Sequence, residues 1–313
     1  MNDGKFEFKR VRRRFRRPLR TGMGPVEAVE RILIQTQTEH GSGYGEIAPW
    51  PGFPTETTDT AIEVLRSAQG SLSHLTAVVA ATRQLPCLAA ALSSCRHWDT
   101  IAAFGGHLPC AGLLSDDPAD FSKKSAEGFR TLKVKVLPET TIDAIRSLLG
   151  RFAGTLRLDA NASLDLAAAR TWLEFVRSEP RIQFLEQPLA VGHAGYASLG
   201  TEKVALDESF LTPVGLEWDG PVVVKPLLVG DWDQFLAWRQ AEPARDVTYS
   251  SCFETAIGRQ GALWLAAQDR VTTAVGFDTL GRFEMDGRDR HMSGPEARGS
   301  LDIRWDQFWR DLA

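Results

Sequence analysis

Cysteine is scarce in this chain: Cys87, Cys95, Cys110 and Cys252 are all it has, and they form neither a CxxC pair nor a regular framework. That excludes a disulfide-stapled module or a thiolate metal site and predicts reduced, structural thiols. The six histidines lack the HxH or HxxxH spacing that zinc would use, so a metal, if the chain takes one, should be held by oxygen. Long apolar runs are missing too. Nothing approaches the roughly eighteen residues a membrane span requires, and Met1 to Lys5 lead into no signal-peptide core, so a cytoplasmic protein is expected. The net charge is only -4, with a pI near 5.9, which argues against nucleic acid or a membrane surface as the main partner.

What is present suffices for a large core, alone or with a smaller companion: 313 residues, 43% of them hydrophobic. Phe6 and Phe8 open a stretch that turns arginine-dense from Arg10 to Arg20, with Val11 and Phe15 interleaved. It reads as a strand edge protected by charge. Arg17 to Gly22 then reads as a loop, Val26 to Gln37 as a segment with a helix-like start and a strand-like end, and Gly41 to Glu46 as a sharp break. Pro49 to Pro54 forms a loop, and Thr55 or Thr57 can cap the helix that follows. Helical spacing of apolar residues over Ala61–Ala68 and Leu75–Leu92 completes a small α+β unit, placed at residues 1–108.

The pattern changes near Pro109. Strand-like runs begin near Pro109, Thr131, Leu156, Ile182, Val204, Pro221, Asp246 and Thr273, at spacings of 17 to 27 residues. Amphipathic stretches lie between them, such as Ile142–Phe152, Leu166–Val176, Trp232–Ala241 and Ala256–Ala267. This alternation predicts an α/β chain with a (β/α)7β-type TIM barrel over 109–280. A doubly wound open sheet is the alternative, but no GxGxxG follows any strand. Residues 281–313 form a tail expected to return onto the N-terminal unit, making a capping domain that the tail completes.

Several runs close on a charge. Leu132-Lys133-Val134-Lys135-Val136 puts two lysines on one face of a strand that should be covered on the other. Downstream, Asp159 with Asn161, Glu186 before Gln187-Pro188, Asp207 with Glu208, and Lys225 before Pro226 end successive runs. In a parallel barrel these ends share one rim. Three close carboxylates cannot all stay ionised without a cation; a hard divalent ion, Mg²⁺ with Mn²⁺ as substitute, resolves this and leaves positions open for a substrate carboxylate. An ion on such a carboxylate stabilises the enediolate formed when a proton leaves the adjacent carbon. A lysine acting as base must be neutral part of the time, which Lys133 and an ion beside Lys135 favour.

These motifs resemble the enolase superfamily, in the muconate-lactonizing subgroup, from about Pro109 to Asp278. The resemblance implies Mg²⁺ on Asp159, Glu186 and Asp207, with Lys135 as base. Within the subgroup the chain looks most like the o-succinylbenzoate synthase family, through Arg157 two residues before Asp159, the run Ser250 to Thr255 followed by Gly258, and Gly276-Phe277-Asp278-Thr279. That resemblance implies a syn dehydration in menaquinone biosynthesis. In it Lys135 takes the α-proton, Lys225 stabilises the anion, and loops around Arg20 and Gly52-Phe53 close on a small carboxylate substrate. Arg157, Asn161, Glu208, Ser250, Ser251, Gly276 and Arg20 are the candidate substrate-binding or supporting residues. Racemisation of N-acylamino acids or dipeptide epimerisation on the same barrel is the alternative; Gly276, two before Asp278, argues against a free amine. A binding barrel without turnover is the rival from another class. Asp278 and Glu254 read as helix caps, and Glu208 as a structural group pairing with Lys225 or another cation instead of a ligand. The sequence leaves the oligomeric state open, and a monomer is compatible with it.

Overall fold

The computed structural model describes residues 4–21, 24–115 and 117–312. Its N-terminal part is an antiparallel sheet of β1 (Lys5–Thr21), β2 (Gly24–Thr38) and β3 (Gly41–Ile47) in that order. Two expectations are corrected here. Arg17 to Thr21 extends β1 instead of forming a loop (Gly22 lies outside the described residues), and the helix-like start of Val26–Gln37 is strand throughout. The cause is pairing: Leu19, Arg20 and Thr21 lie opposite Val26, Pro25 and Gly24, after a register shift between Arg14 and Leu19. Cross-strand hydrogen bonds over that length outweigh a local periodicity.

The supposed break at Gly41–Glu46 is β3 itself. Its glycines let the helix Pro86–Arg96 lie directly on the strand: a Cβ at Gly45 would sit 2.2 Å from the Ala91 carbonyl oxygen. Helices Thr58–Ser67 and Leu72–Ala80 complete that side, burying Ile32, Ile34, Ile47, Ala61 and Leu65 in one cluster. As expected, Thr57 caps the first helix by accepting from the Thr60 backbone N–H. The opposite face of the sheet contributes Val11, Leu33 and Tyr44 to a second, larger cluster shared with the barrel.

After β4 (His107–Pro109), parallel staves run in sequence order. They are β5 (Gly112–Leu113), β6 (Thr131–Lys135), β7 (Thr155–Asp159), β8 (Ile182–Glu186), β9 (Val204–Ala205), β10 (Val222–Val224) and β11 (Val247–Tyr249). Parallel bridges Leu206 to Val222, Ser250 to Gly276 and Cys110 to Val275 join the remaining edges, so the run at 275–276 is the closing stave. The helices Ile142–Arg151, Leu166–Ser178, Trp232–Ala241 and Ala256–Gln268 cover the outside. Among the described residues, closure leaves the barrel no unpaired edge.

The tail adds β12 (Glu296–Arg298), antiparallel to β4, and the helix Trp305–Asp311. That helix packs against the cap and its neighbours. Trp305 meets Trp98 edge-on at 5.0 Å, and the Tyr44 hydroxyl donates to Asp306. All four cysteines are free and buried, as their spacing suggests. Among the described residues no helix is long and apolar enough to cross a membrane.

Candidate active site

Register builds the site. Lys135 lies opposite Asp159, Asp159 opposite Glu186, and Glu186 opposite Ala205, so the carboxyl ends of β6 to β9 sit at one level. Asp207 stands two residues beyond the end of β9, and Lys225 one residue beyond β10. Because strand side chains alternate, Lys133, Arg157 and Phe184 point into the barrel one layer lower. There Phe184, Ala205 and Val223 form a small apolar cluster. Above it opens a cavity of about 520 Å³ lined by Lys133, Lys135, Asp159, Glu186, Asp207 and Lys225. Arg20, Arg157, Asn161, Glu208, Ser250, Ser251 and Gly276 line it as well. Every candidate residue from the sequence therefore reaches one enclosure. Trp50, Gly52 and Phe53 from the cap complete its wall.

Within it charges are paired tightly. The Lys133 ammonium lies 2.8 Å from Asp159 and 2.7 Å from Glu186, and Lys225 donates to both oxygens of Asp207. Burial disfavours the charged Lys133, but Asp159, Glu186 and Asp207 outweigh it and raise its pKa. For Asp159 burial pushes upward, and Lys133 and Lys135 prevail, so its pKa falls. Glu186 is pushed up to about 8, first by burial and then by Asp159; burial and Asp207 push Glu208 up to about 7. The acids outnumber what the two nearest ammoniums can neutralise.

As they stand, no three acidic, histidine or cysteine groups among the described residues converge closely enough to enclose an ion. Lys133 bridges two of the acids and Lys225 caps the third. The donor set nevertheless suits a hard divalent ion. It offers only carboxylate oxygens on adjacent staves, its Glu186 is destabilised as an anion, and the buried Glu208 Oε2 has no hydrogen-bond partner. An added cation would relieve these conditions. Asp159, Glu186 and Asp207 are the residues that would hold it.

Smaller polar groups arrange the rim. The Asn161 backbone N–H donates to Asp159 Oδ1 at 2.9 Å, from a residue with φ of 44°. Arg157, 2% exposed, donates from Nε to Gln183 at 2.8 Å. Burial lowers its pKa to about 10; among the described residues it makes no salt bridge. Ser250 Oγ sits 2.9 Å from where a Gly276 Cβ would stand, so only glycine fits there without a shift. Lys135 donates to the backbone carbonyl of Arg20, while the Arg20 side chain turns outward to Glu139 at 3.5 Å. The cap thus touches the lysine through its main chain.

Three readings are corrected. Asp278 caps no helix: it accepts from the Leu113 N–H and from Ser293 Oγ and pairs with Lys124. Glu254 does not cap the helix Ala256–Gln268 either, because it accepts from Ser251 Oγ and the Cys252 N–H. Glu46, from β3 of the cap, takes that place by accepting from the Thr255 N–H at 2.9 Å and the Gly258 N–H at 3.1 Å. Glu208 forms no ion pair with Lys225 among the described residues, and its Oε2 is the orphan noted above. Sequence reasoning missed Glu46 because its partners lie more than 200 positions away.

A family model described as enolase C-terminal domain-like matches residues 119–217. The chain belongs to the enolase superfamily and is an enzyme of that group. It is 31% identical to an o-succinylbenzoate synthase of Thermosynechococcus vestitus over 308 residues, 89% of this chain and 90% of the relative. It is 31% identical to one from Salmonella arizonae over 260 residues, 76% of this chain and 79% of that protein. The crystal structure of the o-succinylbenzoate synthase from Thermosynechococcus elongatus BP-1, complexed with magnesium in the active site, superposes with a TM-score of 0.80. Its identity is 25%, covering 98% of this chain and 100% of that one. A dipeptide epimerase from Methylococcus capsulatus, complexed with magnesium and a dipeptide, shares the fold at a TM-score of 0.74 and 21% identity, over 94% of this chain and 96% of that one.

Proposed function

We propose that the chain is an o-succinylbenzoate synthase, catalysing syn dehydration of 2-succinyl-6-hydroxy-2,4-cyclohexadiene-1-carboxylate to 2-succinylbenzoate. Residues 1–108 serve as cap, 109–280 as catalytic barrel and 281–313 as the returning tail. The observation that carries the reading is that Lys133, Lys135, Asp159, Glu186, Asp207 and Lys225 line one cavity, together with 31% identity to such synthases over most of the chain.

A magnesium ion on Asp159, Glu186 and Asp207 would polarise the substrate carboxylate and stabilise the charge that builds there. The chain's own groups do the rest. Lys135, released from the Arg20 carbonyl and neutral, removes the α-proton; as its ammonium it returns that proton to the departing hydroxyl, and water leaves as the ring becomes aromatic. A syn elimination keeps both events on one face, so one lysine suffices. Lys225, four staves away, faces the opposite side and stabilises the anion electrostatically, its Nζ 4.6 Å from the Phe53 ring centroid. Arg157, cationic and without an ion pair among the described residues, suits a carboxylate of the substrate.

Lysines on opposite sides of one cavity also suit racemisation of an N-acylamino acid, the second reading. Free-amine substrates fit less well, since Asp278 is engaged by Lys124, Ser293 and Leu113. Side-by-side assay decides. The purified protein with Mg²⁺ should aromatise the cyclohexadiene, read as an ultraviolet change; EDTA and Lys135→Ala should each abolish it. Turnover that survives exhaustive chelation, or normal turnover by Lys135→Ala, would overturn the assignment, and preferential racemisation of N-succinylamino acids would replace it.

A further inference from the structure

Gln187 does not line the cavity, yet it is tied into the wall behind it by every polar atom it has. Its Oε1 accepts from the backbone N–H groups of Asp207 and Ser209, both at 3.1 Å. Its Nε2 donates to Ser209 Oγ at 2.7 Å and the Tyr196 hydroxyl at 2.8 Å, with the Leu189 carbonyl at 3.0 Å. Tyr196 donates onward to Leu189 O at 2.7 Å. Two N–H groups converging on one atom require a carbonyl oxygen there, so the partners fix which way the amide faces.

The backbone is constrained as well. Gln187 is wholly buried and has a φ of 40°, a left-handed conformation that costs a non-glycine residue about 1–2 kcal/mol. Its own N–H donates to Ala205 O on the neighbouring stave at 2.8 Å. Such a conformation persists where surrounding bonds over-determine it.

We infer that Gln187 is the positioning residue that sets Glu186 and Asp207 relative to one another. Glu186 precedes it directly in the chain, and the Asp207 N–H ends on its side chain. One rigid amide thereby fixes two carboxylates on adjacent staves at the level of the main chain. Glutamate could not replace it, having no donors for Ser209 and Tyr196 when ionised. Asparagine is one methylene too short. The inference rests on the proposed ion site and explains how its acids are held at fixed spacing before an ion arrives, the condition under which binding costs least reorganisation.

The test is Mn²⁺ binding to the metal-free protein, followed by electron paramagnetic resonance, alongside thermal unfolding. Gln187→Leu should bind Mn²⁺ about 10- to 100-fold more weakly, need correspondingly more Mg²⁺ for half-maximal turnover, and keep its KM for the organic substrate at saturating Mg²⁺. Ile62→Ala in the cap, a core deletion at a residue that does not line the cavity, should lose stability without losing Mn²⁺ affinity. Wild-type affinity in Gln187→Leu would overturn the inference. Should that variant fail to fold, Tyr196→Phe and Ser209→Ala carry the test: smaller losses of the same kind support it, and unchanged affinity in both refutes it. Failure of the unmodified protein to bind Mn²⁺ would remove the ion site itself, and this inference with it.

Discussion

At the scale of the residue, chemistry is set by who shares a desolvated space. Lys133 and Lys225 face acids, whereas Arg157 faces none within salt-bridge range among the described residues. A buried guanidinium with nitrogens to spare suits an anion, and the proposed substrate, with two carboxylates, offers one beyond that which the proposed ion would take. Arg157→Gln should therefore lower kcat/KM by about 10- to 100-fold, equivalent to roughly 1.4–2.8 kcal/mol. Most of the loss should fall on KM. Steady-state kinetics on the folded variant measures it, and an unchanged KM would place the guanidinium in the structure of the barrel and not in recognition.

At the scale of the element, the helix Ala256–Gln268 is finished by a group from another part of the chain. Its Thr255 supplies no side-chain cap, and Glu46 meets its first N–H groups instead, beside Arg31 at 3.6 Å. A carboxylate at a helix N-terminus is favourable, but burial dominates and pushes the pKa of Glu46 up to about 7. The sign follows from proton linkage. A carboxyl whose folded pKa is raised contributes stability that is fully present below its unfolded pKa, near 4.5, and lost as pH rises through about 7. Urea unfolding of Glu46→Gln should accordingly show a smaller loss between pH 5 and pH 8 than the unmodified protein. The difference is of the order of 3 kcal/mol at most; identical pH slopes would show that Glu46 does not titrate in this window.

At the scale of the whole molecule, cap, barrel and tail share one core. Val11 and Tyr44 of the cap, Leu132 and Leu158 of the barrel and Trp305 of the tail belong to a single buried cluster. Lys9 of β1 donates to the Trp309 and Leu312 carbonyls, both at 2.7 Å, gripping the end of the last helix where a cation is favoured. Trp305→Ala should cost about 3–5 kcal/mol, read by urea unfolding with a single transition. Two separated transitions would mean that the cap and barrel fold apart.

The sequence by itself determined the barrel and which charged residues reach its rim. Alternation of short apolar runs with amphipathic helices is a local signal, and a charge closing successive runs needs only strand periodicity to reach one face. Lys133, Lys135, Asp159, Glu186 and Asp207 were legible for that reason. Tertiary structure alone decided how those groups are held and what covers them. The full length of β1 and β2 depends on pairing between strands, so the helix-like start at Val26 misled. Asp278 and Glu254 turned from caps into internal partners, and Glu46 became the cap, because a buried carboxyl takes whichever donors the packed chain brings to it. Proximity across hundreds of positions leaves no mark on a linear pattern; it exists only once the hydrophobic core has closed and the polar groups inside must find one another.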